Sequence, residues 1–241
     1  ALGLCGATVI GSLIGFTFKG LSHKWNDTVL GYCAGVMLAA STLGLIVPAF
    51  ESEATPWWLV AVGVMAGALF LNVLDLVTPH LHHITGLDVE EHRNNSTLNH
   101  IIIFVMAIAI HKLPEGIAAG VSMSEGEEAS WTVSFGIALQ NIPEGMVIIA
   151  PLLLAGVKRM RTFIISVAIG LLEVIGVWTG FAMGNVSASM LPVMLGFAGG
   201  AMLYVTSDEM IPETHAHGYQ KQATYALLLG FMTFVLLERL L

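Results

Sequence analysis

The chain has 241 residues, 56% of them hydrophobic and 11% charged, with a net charge of −8 and a mean hydropathy of +0.81. A soluble domain carries about 25% charged residues, so the composition excludes a water-soluble globule and predicts an integral membrane protein built of helices. The acidic balance excludes nucleic acid as a partner, the strand alternation of a membrane barrel is absent, and the two cysteines, Cys5 and Cys33, both fall in apolar runs, which excludes a disulfide framework.

Taken in chain order, breaks in hydrophobicity predict eight transmembrane helices near 2–18, 28–49, 57–77, 99–123, 130–155, 161–184, 189–212 and 222–240. Each is about 17 to 25 residues long, which matches roughly 30 Å of hydrocarbon at 1.5 Å per residue. The expected fold class is therefore all-α, a polytopic helix bundle forming a single domain over 1–241. The first residues are already apolar and lack the charged start of a signal peptide. Loops are short except 78–98, which is rich in His and Asn.

Lysines and arginines set the expected orientation. Lys19, Lys24, Arg93, Lys158, Arg159, Arg161 and Lys221 fall in the first, third, fifth and seventh loops, and none falls in the others. Positive loops stay cytoplasmic, so both termini are expected outside and loop 78–98 inside. The outer loops carry Glu51, Glu53, Glu125, Glu127 and Glu128 instead. These acids read either as a solvated face or as a funnel that concentrates cations.

Five ionisable residues fall mid-span: His111, Lys112, Glu115, Glu144 and Glu173. A charge at the bilayer centre costs about 2.5–3.5 kcal/mol on insertion scales, so such groups face the bundle interior and pair there. AIAIHKLPEG at 107–116 echoes GIALQNIPEG at 136–145, and corresponding Pro/Gly-interrupted segments point to a transporter's binding site. His111 and Glu115 are four residues apart and share a helix face, as do Gln140 and Glu144. If the faces oppose, one imidazole, two carboxylates and an amide oxygen converge, a set that suits zinc and its neighbours. Pro114 and Pro143 free the carbonyls of Ile110 and Leu139 one turn earlier. The alternative is an ordinary proline kink with a satisfied polar patch.

Other residues speak less clearly. A mid-span methionine such as Met37 is more often packing than ligand, although its thioether suits zinc or cadmium. Asp75, Asp208 and Glu209 near cytoplasmic ends read as interface polarity or as an exit path. His80, His82 and His83, with His215 and His217, form two clusters on the same side and favour transient metal capture.

At HKLPEG, QNIPEG and SDEMIPETHAHG the chain resembles the ZIP family of divalent metal transporters, most of all its GufA-like bacterial branch. The resemblance covers nearly the whole chain. It implies a homodimeric secondary transporter or facilitator in the plasma membrane, without a cofactor, that moves Zn²⁺, often Cd²⁺ and sometimes Fe²⁺ or Mn²⁺, towards the cytosol. The family's metal ligands match Met37, His111, Glu115, Gln140 and Glu144, and its sixth-span glutamate matches Glu173. An elevator-like motion is implied, with spans one, four, five and six sliding against two, three, seven and eight. Two positions depart from the family pattern. Many relatives carry Asn and Asp, which help to hold a second metal, where this chain has Lys112 and Asn141. Together the changes add two positive units, the charge of one divalent ion. Lys112 is expected to stand in for that ion, pairing with Glu173 and the back of Glu115 or Glu144. Metal binding is expected to weaken in acid, because ligands must be deprotonated. Release is expected past Asp75, Asp208 and Glu209 to the loop histidines. An intramembrane zinc hydrolase is the alternative, but it needs more than one mid-span His.

Overall fold

The computed structural model describes residues 1–17, 22–53, 55–81, 96–154, 156–186 and 189–240, with the side chains of 23, 75–81, 96–108, 150, 151 and 154 outside that description. Within it the chain is helical and forms eight rods. They are α1 (Leu2–Thr17), α2 (His23–Ser41) continued by α3 (Val47–Glu51), α4 (Trp57–Leu81), α5 (Ser96–Glu125), α6 (Glu127–Leu154), α7 (Arg159–Gly184), α8 (Leu191–Val205) continued by α9 (Ile211–Thr214), and α10 (Gln220–Leu240). Five stretches among the described residues are long and apolar enough to cross a membrane: Lys24–Glu51, Trp57–Leu74, Glu127–Ile149, Arg159–Gly184 and Gln220–Leu240. The all-α membrane bundle follows.

The bundle is arranged for lipid. Large apolar side chains such as Ile10, Met65, Leu69, Phe135, Trp178 and Leu229 point outward, while the interior holds alanines, glycines, hydroxyls and all five mid-span ionisable residues. Helices in lipid gain little from hiding leucine, so small residues that let backbones approach mark the interfaces. The crossing of α5 and α7 shows this. A Cβ on Gly116 would strike the Glu173 carbonyl, and one on Gly176 would stand 2.5 Å from the Leu113 carbonyl. That close approach brings Glu173 alongside the α5 face that carries Lys112 and Glu115.

The helices pack in two sets. Helices α1, α5, α6 and α7 pack on one another, while α2 pairs with α10, α4 pairs with α8, and α2 also touches α8. The sets meet where α2 lies on α6 and α5 on α8. α2 and α6 are strongly enclosed, whereas α4 and α10 face outward along most of their length.

Two features were not legible as interruptions. Pro114 and Pro143 lie within α5 and α6, which run through them as continuous helices. The helix register loosens elsewhere, in π turns at Thr42–Ile46 and Thr206–Met210. In each, the N–H after the turn reaches five residues back, Val47 to Thr42 and Ile211 to Thr206. Each is followed one residue later by a proline, Pro48 or Pro212, which lacks the N–H for an ordinary bond and crowds the preceding turn. The widened turn relieves that clash and rotates the side chains beyond it.

Candidate functional site

The site is assembled from the two sets of helices. α5 contributes His111, Lys112 and Glu115, α6 contributes Gln140, Asn141 and Glu144, and α7 contributes Glu173. All seven are buried, none more than 5% exposed. From the other set come Cys33 and Met37, both fully buried and one turn apart on α2, and Glu209 from the π turn after α8.

Lys112 is the hub. Its Nζ donates to Glu115 Oε2 at 2.7 Å, to Glu144 Oε2 at 2.6 Å and to Asn141 Oδ1 at 2.5 Å. Three acceptors match the three protons of an ammonium. Asn141 turns its other end outward, and its Nδ2 donates to Glu173 Oε1 and Oε2 at 2.7 and 2.9 Å and to the Leu4 carbonyl at 3.3 Å. One amide thus accepts from the cation and donates to the anion, which ties α5, α6, α7 and α1 into one network. Gln140 Nε2 donates to Glu115 Oε1 at 2.9 Å. The Cys33 thiol donates to the Gln140 carbonyl at 3.7 Å, joining α2 to α6.

Two acceptors in this cluster have no partner. Gln140 Oε1 and Glu144 Oε1 are buried and unbonded. An unsatisfied buried acceptor, above all on a carboxylate, is costly and calls for a donor or a cation. His111 Nε2 lies 3.0 Å from Glu209 Oε2 and so bridges the two helix sets. Among the described residues no three His, Cys, Asp or Glu side chains are gathered closely enough to hold an ion as they stand. The reason is visible: Lys112 fills the space between Glu115 and Glu144, and His111 is bonded to Glu209.

At the α5–α6 turn a cavity of about 470 Å³ is lined by Glu125, Glu127, Glu128 and Glu238, against Leu43 and Pro48 at the second-helix π turn. Burial pushes the Glu125 carboxyl above its ordinary range.

The comparisons with known proteins bear on the same helices. The sequence profile of the ZIP zinc transporter family matches residues 90–238. The chain is 35% identical over 243 residues to the zinc transporter ZIPB of Bordetella bronchiseptica, covering 96% of this chain and 77% of that protein. It is 35% identical over 240 residues to the zinc transporter GufA of Myxococcus xanthus, covering 96% and 93%.

The chain belongs to the ZIP family.

A more distant relative is the human zinc transporter ZIP11, 28% identical over 320 residues, with 97% of this chain and 93% of that protein covered. These ZIP relatives are named as transporters rather than enzymes. Membership also frames how the structure places each expected residue. Glu115, Gln140 and Glu144 converge on one buried cluster, with His111 at its α8 side, while Met37 is buried on α2 one turn beyond Cys33. Lys112 departs from expectation. It takes Glu115 and Glu144 together and reaches Glu173 only through Asn141, because the Asn141 amide stands between them.

Glu209, expected near water as an exit residue, keeps its side chain 22% exposed, and the Thr206–Met210 π turn also carries it to His111. Its neighbour Asp208 stays in the same turn. His215 is bonded locally, to Thr214 Oγ1 and the Ile211 carbonyl at 2.9 Å each, and to Thr224 at 3.3 Å. His82, His83 and most of the 78–98 loop lie outside the described residues. Asp75 and His80 are placed only as positions on α4. Sequence reading missed Cys33 as a wall of the cluster and Asp27 as a buried acid. Four-residue spacing from Met37 was the available signal for Cys33. Asp27 gave none, lying at the end of a basic loop by sequence.

Proposed function

We propose that this ZIP protein carries Zn²⁺, and also Cd²⁺, across the membrane through the cluster of Met37, His111, Glu115, Gln140 and Glu144. The observation that carries the reading is the pair of unpartnered acceptors, Gln140 Oε1 and Glu144 Oε1, buried in a network whose other atoms are bonded. A dehydrated cation supplies what they lack. Imidazole, carboxylates and a thioether favour a zinc-class ion over magnesium, which keeps oxygen ligands and water. The relatives named as zinc transporters support the same ion.

In this reading His111 leaves Glu209 to complete the ion's ligands, and the ion then passes back to Glu209. Asp208, Asp75, His80, His82 and His215 continue the path to the cytosol. The two helix sets fit an elevator-like motion, with α1, α5, α6 and α7 sliding as a body past the rest. His111–Glu209 and Cys33–Gln140 span the sliding surface. A homodimer in the plasma membrane with both termini outside completes the proposal, on the family resemblance and the basic loops.

Lys112 sets the stoichiometry. Its ammonium, fixed by Glu115, Glu144 and Asn141, occupies the place of a second ion, so each protomer carries one. Replacing Lys112 by Asn together with Asn141 by Asp should raise bound zinc from one to two ions per protomer, and an unchanged count refutes this role. The function itself is tested by ⁶⁵Zn²⁺ uptake into proteoliposomes. Saturable uptake in the parent that is lost in His111→Ala and in Glu144→Ala is the expected result. Uptake unchanged in both variants places the pathway in other helices.

A further inference from the structure

Asp27 is used by none of the above, yet the fold buries it completely. It stands just inside the start of α2, in HKWNDTVL. Its Oδ1 lies 2.9 Å from His217 Nδ1, and its Oδ2 is buried without any hydrogen-bond partner. A carboxylate oxygen shut away from water and left without a donor is among the costlier arrangements in a protein, and folded chains normally give it a donor, an ordered water or a cation. His217 sits in the short turn between α9 and α10, just before Gly218, whose φ of +89° lets the chain reverse there. Its side chain is 30% exposed. The pair is therefore closed on the Asp27 side and open to solvent on the His217 side.

We infer that Asp27 and His217 form a second site for a divalent transition-metal ion, with Asp27 binding through its carboxylate and His217 through Nδ1. The donor types select the ion class, since imidazole with carboxylate suits zinc and its neighbours and magnesium prefers oxygen alone. Two donors at about 2.0–2.1 Å from one tetrahedral ion stand roughly 3.3 Å apart, so the observed 2.9 Å needs only a small opening to admit the ion. The ion also satisfies Oδ2, which the bond to His217 leaves unpaired. Among the described residues no third His, Cys, Asp or Glu joins the pair. Two described protein donors make a weak, exchanging site rather than a retaining one. Asp27 lies ten residues before Met37 on the same helix, about 15 Å along its axis at 1.5 Å per residue. His217 lies eight residues beyond Glu209. The site is thus placed to take the ion after the buried cluster releases it. That placement in the sequence of events rests on the transport reading, whereas the site itself does not.

The alternative is a plain ion pair that pins the α9–α10 turn to α2, and a zinc titration separates the two. The full chain in detergent, carrying His111→Ala and Glu144→Ala to disable the buried cluster, is titrated calorimetrically with Zn²⁺ with and without His217→Gln. Zinc taken up by the histidines of 78–98 is common to both and cancels. The expected result is the loss of the same one binding step on adding His217→Gln or, in a separate variant, Asp27→Asn. Equal stoichiometry with and without His217→Gln overturns the site, and a lowered melting midpoint alongside that equality identifies the plain ion pair. Should Asp27→Asn fail to fold, His217→Gln decides alone, since its side chain is partly exposed. Failure of the uptake assay refutes the transport reading and leaves this titration unaffected.

Discussion

Replacing Lys112 by methionine keeps much of the side-chain volume and removes the charge, which isolates what the ammonium contributes. Its three acceptors, Glu115 Oε2, Glu144 Oε2 and Asn141 Oδ1, lie at 2.7, 2.6 and 2.5 Å in a cluster with almost no exposure. Removing one partner of a buried ion pair costs about 3–5 kcal/mol, because the remaining charge is left uncompensated. Here two carboxylates lose the same cation, so the metal-free variant should fall at the upper end of that range. The loss should be recoverable, because an ion that enters between Glu115 and Glu144 restores the missing charge. Zinc at 100 times its dissociation constant returns about 2.7 kcal/mol. The assay is the melting midpoint of the purified protein in detergent, first with chelator and then with zinc. The expected pattern is a large drop for Lys112→Met in chelator and a larger zinc-induced rise than in the parent. An unchanged midpoint in chelator, or a zinc response no greater than the parent's, refutes the argument that Lys112 holds the two carboxylates together.

Three further outcomes follow from the geometry. Asn141→Leu strips Glu173 of the two bonds it accepts from Nδ2 and leaves Lys112 one acceptor short, so it should destabilise the protein by about 1–3 kcal/mol or more, read as the same midpoint. Gly116→Ala places a methyl against the Glu173 carbonyl and should cost about 1–3 kcal/mol while shifting Glu115, so zinc uptake falls, whereas Gly3→Ala, with nothing within 4 Å, should leave both unchanged. Burial raises the Glu125 carboxyl, so the folded state holds this proton to higher pH than the unfolded chain does, and its contribution to stability declines as pH rises from the ordinary carboxylate range through the raised value. Glu125→Gln should therefore stabilise at neutral pH and make no difference in acid, and a melting profile against pH in which the two proteins differ equally at all pH values would speak against buried Glu125 as the cause.

Much of this was legible because lipid is a demanding solvent. A segment without water must satisfy its own backbone, so hydrophobic runs of about 20 residues reveal helices, and the eight rods lie close to the expected spans. The same demand makes a mid-span His, Lys or Glu informative. Glu115, Glu144, Gln140 and Lys112 were found by position and four-residue spacing, and the structure brings them into one network. The π turns were harder to read. Pro48 and Pro212 announce a defect, but whether the chain kinks, breaks or widens depends on the neighbours that absorb the clash. Pro114 and Pro143 show the same ambiguity, since their helices continue unbroken.

The sequence by itself determined the solvent, the number of helices and which charges needed partners, because each depends on local composition and the period of a single helix. Only the tertiary structure decided who pairs with whom. Asn141 stands between Lys112 and Glu173, Glu209 swings in to His111, and Asp27, placed by sequence in a basic loop, is buried against His217. Each of these contacts joins residues from 29 to 190 positions apart. Helix periodicity says which face a residue occupies, but crossing geometry, here set by glycine contacts and π turns, says what that face meets.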